Sequence, residues 1–224
     1  MLEGLLGAYG SVLPLILPDL LGGVLGTLRL ACLAFALALV VGLALALAKL
    51  SDNRALRTPA SIYIEIIRGT PALVQLFLVY YGLLSIGVKF NAFEAAVIGL
   101  GFNVGAYVAE IFRAGILAVD VGQREACYAI GMTRLKAMRY VVLPQAVRTV
   151  LPPLATTGIS LLKDTSIAAL ISVPDLLLRA RDLTSEYFMP LEIFITVGII
   201  YFLICFPLSI IVRAMEWKWH PETR

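Results

Sequence analysis

The chain has 224 residues, of which 60% are hydrophobic and only 15% charged, with a net charge of +3. Soluble domains carry about 25% charged residues, so the composition excludes an ordinary soluble fold and predicts an all-α membrane protein. The alternating period of a membrane β-barrel is absent, and three scattered cysteines with a single histidine exclude a disulfide framework and a histidine metal cluster.

Residues 1–20 are apolar but lack the basic start and small-residue cleavage site of a signal peptide. Pro14 and Pro18 there predict a short re-entrant or surface helix. Five spans follow, at about 20–47, 60–86, 93–117, 149–172 and 191–212, all within one domain covering 1–224. Lys49, Arg54, Arg57, the basic loop at about 120–146 and a tail with Arg213, Lys218 and Arg224 fall on one side of the membrane. Only Lys89, Arg179 and Arg181 fall on the other. The positive-inside rule then predicts an outside N-terminus and a cytoplasmic C-terminus, with Trp217 and Trp219 as interfacial anchors. The connection at 173–190 reads as an outside segment, either a plain connector or a short amphipathic helix that contacts a partner.

Charged groups at bilayer depth are costly and usually face a protein interior or a cavity. In the second span, Glu65, Arg68, Thr70 and Gln75 surround Gly69 and Pro71. Glu65 and Arg68 share a helix face and are spaced to pair, and the Gly and Pro permit a kink or a break. In the third, Asn103, Tyr107 and Glu110 share one face, three residues before Arg113. In the fourth, the neighbours Lys163 and Asp164 point about 100° apart, so each needs its own partner, and Thr165 and Ser166 follow. Each cluster has two readings: a neutralised kink or hydrogen bonds that knit helices, or the wall of a solute path. Together they suit a small polar ion bearing both charges.

The loop at about 120–146 is a polar, basic island in this chain. It predicts two short helical runs, broken at Gly131 and stopped before Pro144. Glu125 is expected to cap or pair at the start of the first. The chain lacks GxxxxGK[ST], HExxH and GxSxG, so neither ATP hydrolysis, metalloproteolysis nor lipid hydrolysis has a signature, and no enzyme is expected.

Glu125-Ala126-Cys127, Gly131 and Leu143-Pro144 resemble the EAA loop of ABC importer permeases. With Arg68-Gly69-Thr70-Pro71, Ala106-Tyr107-Val108-Ala109-Glu110 and Lys163-Asp164-Thr165-Ser166, the chain resembles the polar amino acid permeases of the histidine/glutamine/arginine type from about residue 20 onward. The resemblance implies a five-span type I permease in the cell membrane that pairs with itself or with a similar subunit. It implies a cytoplasmic ABC ATPase dimer carrying the ATP and Mg, an extracytoplasmic solute-binding protein and an amino acid substrate. No cofactor is expected in this chain, and no nucleic acid. Coupling to the ATPase is carried over to Gln123, Glu125, Ala126, Gly131, Leu143 and Pro144. The substrate path is carried over to Glu65, Arg68, Thr70, Gln75, Asn103, Glu110, Lys163, Asp164 and Ser166. Cys127 stands where the motif usually has a second Ala, and its small side chain preserves packing. The same architecture serves other small zwitterions, such as an opine or a sulfur amino acid. A secondary carrier or channel would share the broken helices but would not need the loop.

Overall fold

The structure, a computed structural model, describes residues 2–219, with side chains described continuously from residue 12 onward. Arg224, assigned above to the tail, and the single histidine, His220, lie outside the described residues. The described chain is helical throughout, with no strand.

The first helix, α1 (Leu2–Leu50), runs straight through Pro14 and Pro18, so the re-entrant or surface helix expected there does not form. Tertiary packing overrides the two prolines. Ile16 and Leu20 flank Pro18 and are fully buried in a cluster with Leu176, Leu183 and Ile193 from the far end of the chain. Anchoring on both sides of Pro18 holds the helix where its local propensity is poor.

Asn53 caps α2 (Arg54–Arg68) by accepting from Ala55 N at 2.9 Å. The second span is broken as expected: α2 and the segment Ala72–Ser85 meet at 109° across Gly69, Thr70 and Pro71. Beyond the bend come α3 (Ala72–Phe77), a π turn (Leu78–Gly82) and α4 (Leu83–Ser85). Asn91 and Glu94 form a reciprocal capping box that starts α5 (Ala92–Leu117).

Helices α1 and α5 form the spine of the fold. A Cβ on Gly101 would stand 2.7 Å from Leu37 Cδ2, and one on Gly42 only 2.5 Å from Val108 Cγ1. Small residues let the two backbones approach this closely, which is how membrane helices gain contact without a hydrophobic drive from water.

The basic loop folds as α6 (Val121–Ala129) and α7 (Arg134–Ala137), followed by a π turn (Met138–Val142) and α8 (Leu143–Asp164). Pro144 does not stop the helix: residues Arg134–Ile171 form one continuous 38-residue rod. The π turn directly precedes Pro144, and its wider ladder accommodates a ring that would otherwise meet the carbonyl four residues back. A 3-10 segment (Thr165–Ile171) ends the rod, and α9 (Leu176–Tyr187) and α10 (Pro190–Trp219) complete the chain. The 173–190 connection therefore does hold a short helix.

The turn into α9 docks in a notch on α1. A Cβ on Gly26 would collide with the Pro174 carbonyl oxygen, so only glycine admits the turn. Beside it, Leu176 N donates to Thr27 Oγ1 at 3.0 Å. Asp175 caps α9 by accepting from Leu178 N at 2.8 Å, while its Oδ2 is buried without a partner. Burial pushes the Asp175 carboxyl up to about 6, against the pull of the α9 amides. A carboxyl raised above its unfolded value of about 3.9 stabilises the fold most fully below that pH, and the benefit is lost as pH rises through about 6. Asp175→Asn keeps the capping oxygen and removes the charge. It is expected to stabilise the protein by about 1–3 kcal/mol at pH 8 and to flatten the pH dependence of thermal unfolding between about pH 4 and pH 6. Melting curves in detergent across that range check both.

Candidate functional site

The break in the second span leaves the last carbonyls of α2 without intrahelical donors, a serious cost inside a membrane. Three side chains or amides supply them. Gly69 N donates to Glu65 O at 2.9 Å, and Thr70 Oγ1 donates to Ile66 O at 2.8 Å. Gln75 Nε2, reaching back from α3, donates to Ile67 O at 2.8 Å and to Thr70 Oγ1 at 2.7 Å. Asn103, buried on α5, then donates to Gln75 Oε1 at 3.0 Å and ties the break to the spine.

This fixed bend forms one wall of a cavity of about 500 Å³ with both polar and apolar lining. Thr70, Pro71 and Leu73 line it from the break, Asn103 and Tyr107 from α5, and Thr156, Thr157, Ser160 and Asp164 from α8. Thr70, Asn103 and Asp164 thus come together, with Gln75 hydrogen-bonded behind them. Arg68 does not pair with Glu65: among the described residues the ion pairs are Lys49–Glu110 and Arg113–Glu110. The Arg68 guanidinium instead stands over the Tyr107 ring, 5.5 Å from its centroid. That is cation–π range, so Tyr107 links Arg68 to the cavity.

Other predicted residues lie apart. Glu65 is exposed on α2, outside the cavity lining. Glu110 accepts from Lys49 Nζ at 2.7 Å and from Arg113 Nε at 2.9 Å, clamping the end of α1 to α5. Lys163 points away from its neighbour Asp164, into an adjoining cavity beside Arg213 and Glu216 of α10 that shares Thr156 and Ser160 with the first, as adjacent positions on a helix require. Ser166 is half-buried in the 3-10 segment and lines neither cavity. Sequence reasoning did not single out Thr156, Thr157 and Ser160. Their signal was present: Thr156, Ser160 and Lys163 repeat at four and three, as do Thr157, Ser160 and Asp164 at three and four.

The other predicted site is the helical hairpin α6–α7. Gly131, at φ +79°, is its elbow. Gly131 N donates to Tyr128 O at 3.0 Å and Met132 N to Cys127 O at 2.9 Å, a Schellman stop in which the glycine takes the left-handed position. Asp120, not Glu125, caps α6, accepting from Gly122 N at 2.6 Å. Gln123, Glu125 and Ala126 are exposed on α6, as are Leu143 and Pro144 at the start of α8, while Cys127 is buried inward. Around them Ile130 is 75% and Leu135 78% exposed, so the hairpin presents an apolar tip among its basic residues.

An all-helical chain with a broken second span and an exposed hairpin of this form is a permease of the type I ABC importer fold. The chain belongs to the family of binding-protein-dependent transport system inner membrane components, which it matches over residues 38–220. It is 44% identical to the L-cystine transport system permease protein TcyB of Bacillus subtilis over 200 residues, 89% of this chain and 86% of that protein. Identity to the putative glutamine transport system permease protein GlnP of Rickettsia felis is 37% over 222 residues, 97% of this chain and 98% of that protein. Among solved structures, an amino acid ABC transporter crystallised with histidines superposes with a TM-score of 0.89 at 41% identity, covering 94% of this chain and 98% of that one. The chain is accordingly a multi-pass, inner-membrane transport subunit and not an enzyme.

The Gln75 network is testable. Gln75→Leu removes the donor to the Ile67 carbonyl and the acceptor of Asn103, and is expected to cost about 1–3 kcal/mol, whereas Glu65→Gln is expected to be nearly neutral. Thermal unfolding of the two variants in one detergent compares them directly.

Proposed function

We propose that this subunit imports a polar or charged amino acid through the Asp164 cavity, driven by a cytoplasmic ATPase dimer that grips the α6–α7 hairpin. One observation carries the reading: the carboxylate of Asp164 shares a cavity with the hydroxyls of Thr156, Thr157 and Ser160 and the first turn of α3. Asp164 is the partner for a substrate ammonium group. The leading N–H groups of α3 have no intrahelical acceptor and favour a carboxylate, with the Arg68 charge behind Tyr107 adding to that bias. A zwitterion satisfies both ends at once, and amino acid permeases among the relatives support that class.

The hairpin supplies the drive. A permease without a phosphate loop needs a rigid handle through which a partner can bias two arrangements of its helices. Here the handle continues without a stop into α8, the helix that carries Asp164, so a push on the hairpin reaches the cavity through one rod. A second permease subunit completes the pathway, an extracytoplasmic binding protein delivers the solute, and the basic side with the hairpin faces the cytoplasm.

Two variants separate the roles. Asp164→Asn removes a charge-assisted contact and is expected to reduce uptake about tenfold to a hundredfold in proteoliposomes, with the ATPase still bound. Unchanged uptake kinetics would return Asp164 to a structural role. Gly131→Val places a β-branched residue at φ +79°. The strain of about 1–2 kcal/mol is expected to lower ATP-driven uptake about tenfold while the protein still inserts. Wild-type uptake that follows an ion gradient and ignores ATP would identify a secondary carrier instead.

A further inference from the structure

A second cavity, of about 700 Å³, lies between α1, the start of α5 and the turn into α9, and shares no lining residue with the Asp164 cavity. Two arginines line it: Arg29 of α1 and Arg179 of α9. Leu25, Leu33 and Phe93 form its apolar wall. Arg29 lies within the apolar stretch Val12–Leu50, where an unpaired cation is costly. No carboxylate among the described residues pairs with either guanidinium, since both ion pairs there belong to Glu110.

The arginines are also placed to act together. The Arg179 stem lies against α1 at Gly23, where a Cβ would stand 3.1 Å from Arg179 Cγ. Gly22, Gly26 and Arg29 follow at spacings of four and three on the face of α1 that lines the cavity, and Arg179 lines the same cavity from α9, so both arginines border one space that a single phosphate can share. Leu25 and Leu33 are 52% and 51% exposed, and the exposed face continues down α1 through Val40, Leu43 and Leu47. That stripe has the length and character of a surface facing acyl chains. Charge and apolar continuity thus select a single kind of occupant, one with an anionic head and long hydrocarbon tails.

We propose that the cavity holds an anionic phospholipid, with its phosphate between Arg29 and Arg179 and its acyl chains along the Leu25–Leu33 face of α1. The lipid supplies the countercharge that the described residues lack and seals the α1–α9 contact at that edge of the membrane.

Native mass spectrometry of the full-length complex, released from vesicles of equal phosphatidylglycerol and phosphatidylcholine content, tests this. Two basic side chains at a membrane surface favour an anionic lipid by about thirtyfold together, so the wild type is expected to retain phosphatidylglycerol in about that excess. Arg29→Gln/Arg179→Gln is expected to bring retention close to parity, and Arg29→Lys/Arg179→Lys to keep most of the preference. Equal retention of the two lipids by the wild type, or a preference unchanged in the glutamine variant, would overturn the proposal. Two arms need no variant. Delipidated wild type is expected to gain thermal stability from phosphatidylglycerol and none from inorganic phosphate; a gain from phosphate alone would assign the cavity to a free anion. Cys32 lines the same cavity, and its efficient cross-linking to Cys32 of a second copy would make the cavity a subunit interface and overturn the lipid assignment.

Discussion

Backbone hydrogen bonds have no water to fall back on inside a bilayer, and the break at Gly69, Thr70 and Pro71 exists only because neighbouring groups replace those it removes. Gln75 is the centre of that repair. Its amide nitrogen serves the Ile67 carbonyl and the Thr70 hydroxyl, and its oxygen accepts from Asn103 on the spine helix. Much of the interior follows from this. The bend can be sharp, its polar groups can line a cavity rather than fill one, and Asp164 of α8 has an open space to face.

A second constraint ties the two ends of the molecule. The glycines of α1 and α5 bring these helices into close contact, and Glu110 clamps their hairpin-side ends by accepting from both Lys49 and Arg113. At the opposite end, Gly26 and Thr27 receive the turn into α9. Against this frame stands the α7–α8 rod. It is joined to α6 at a single left-handed glycine, and it carries the apolar hairpin tip at one end and Asp164 at the other. In the function proposed above, coupling and translocation share this one rod, which joins the hairpin to the Asp164 cavity.

Several features were open to reading from residue order. Apolar stretches of roughly bilayer length identify the spans, a Gly-Thr-Pro sequence within one of them identifies the break, and a glycine in a polar loop identifies the elbow. Side-chain partnerships were less accessible. Glu65 and Arg68 are spaced to pair on α2, yet Arg68 turns to the Tyr107 ring and Glu65 stays exposed. Glu110 read more strongly as helix knitting than as a pathway wall, but its partner Lys49 lies 61 positions away and was not legible. Thr156, Thr157 and Ser160 became cavity residues only when the rotation of α8 was known.

Prolines show the boundary most clearly. Pro14, Pro18 and Pro144 each argue locally for an interruption, yet of these and Pro71 only Pro71 marks a sharp break. Residue order decided that the chain is a multi-span helical membrane protein with a broken second span and a helical hairpin bent at a glycine, because hydropathy and glycine conformations act over short distances. Packing decided the rest: whether a proline breaks a helix depends on burial such as that of Ile16 and Leu20, on a π turn before Pro144, or on a distant amide such as Gln75. Those compensations come from residues far apart in the chain or from the geometry of a whole turn, so they exist only in the folded molecule.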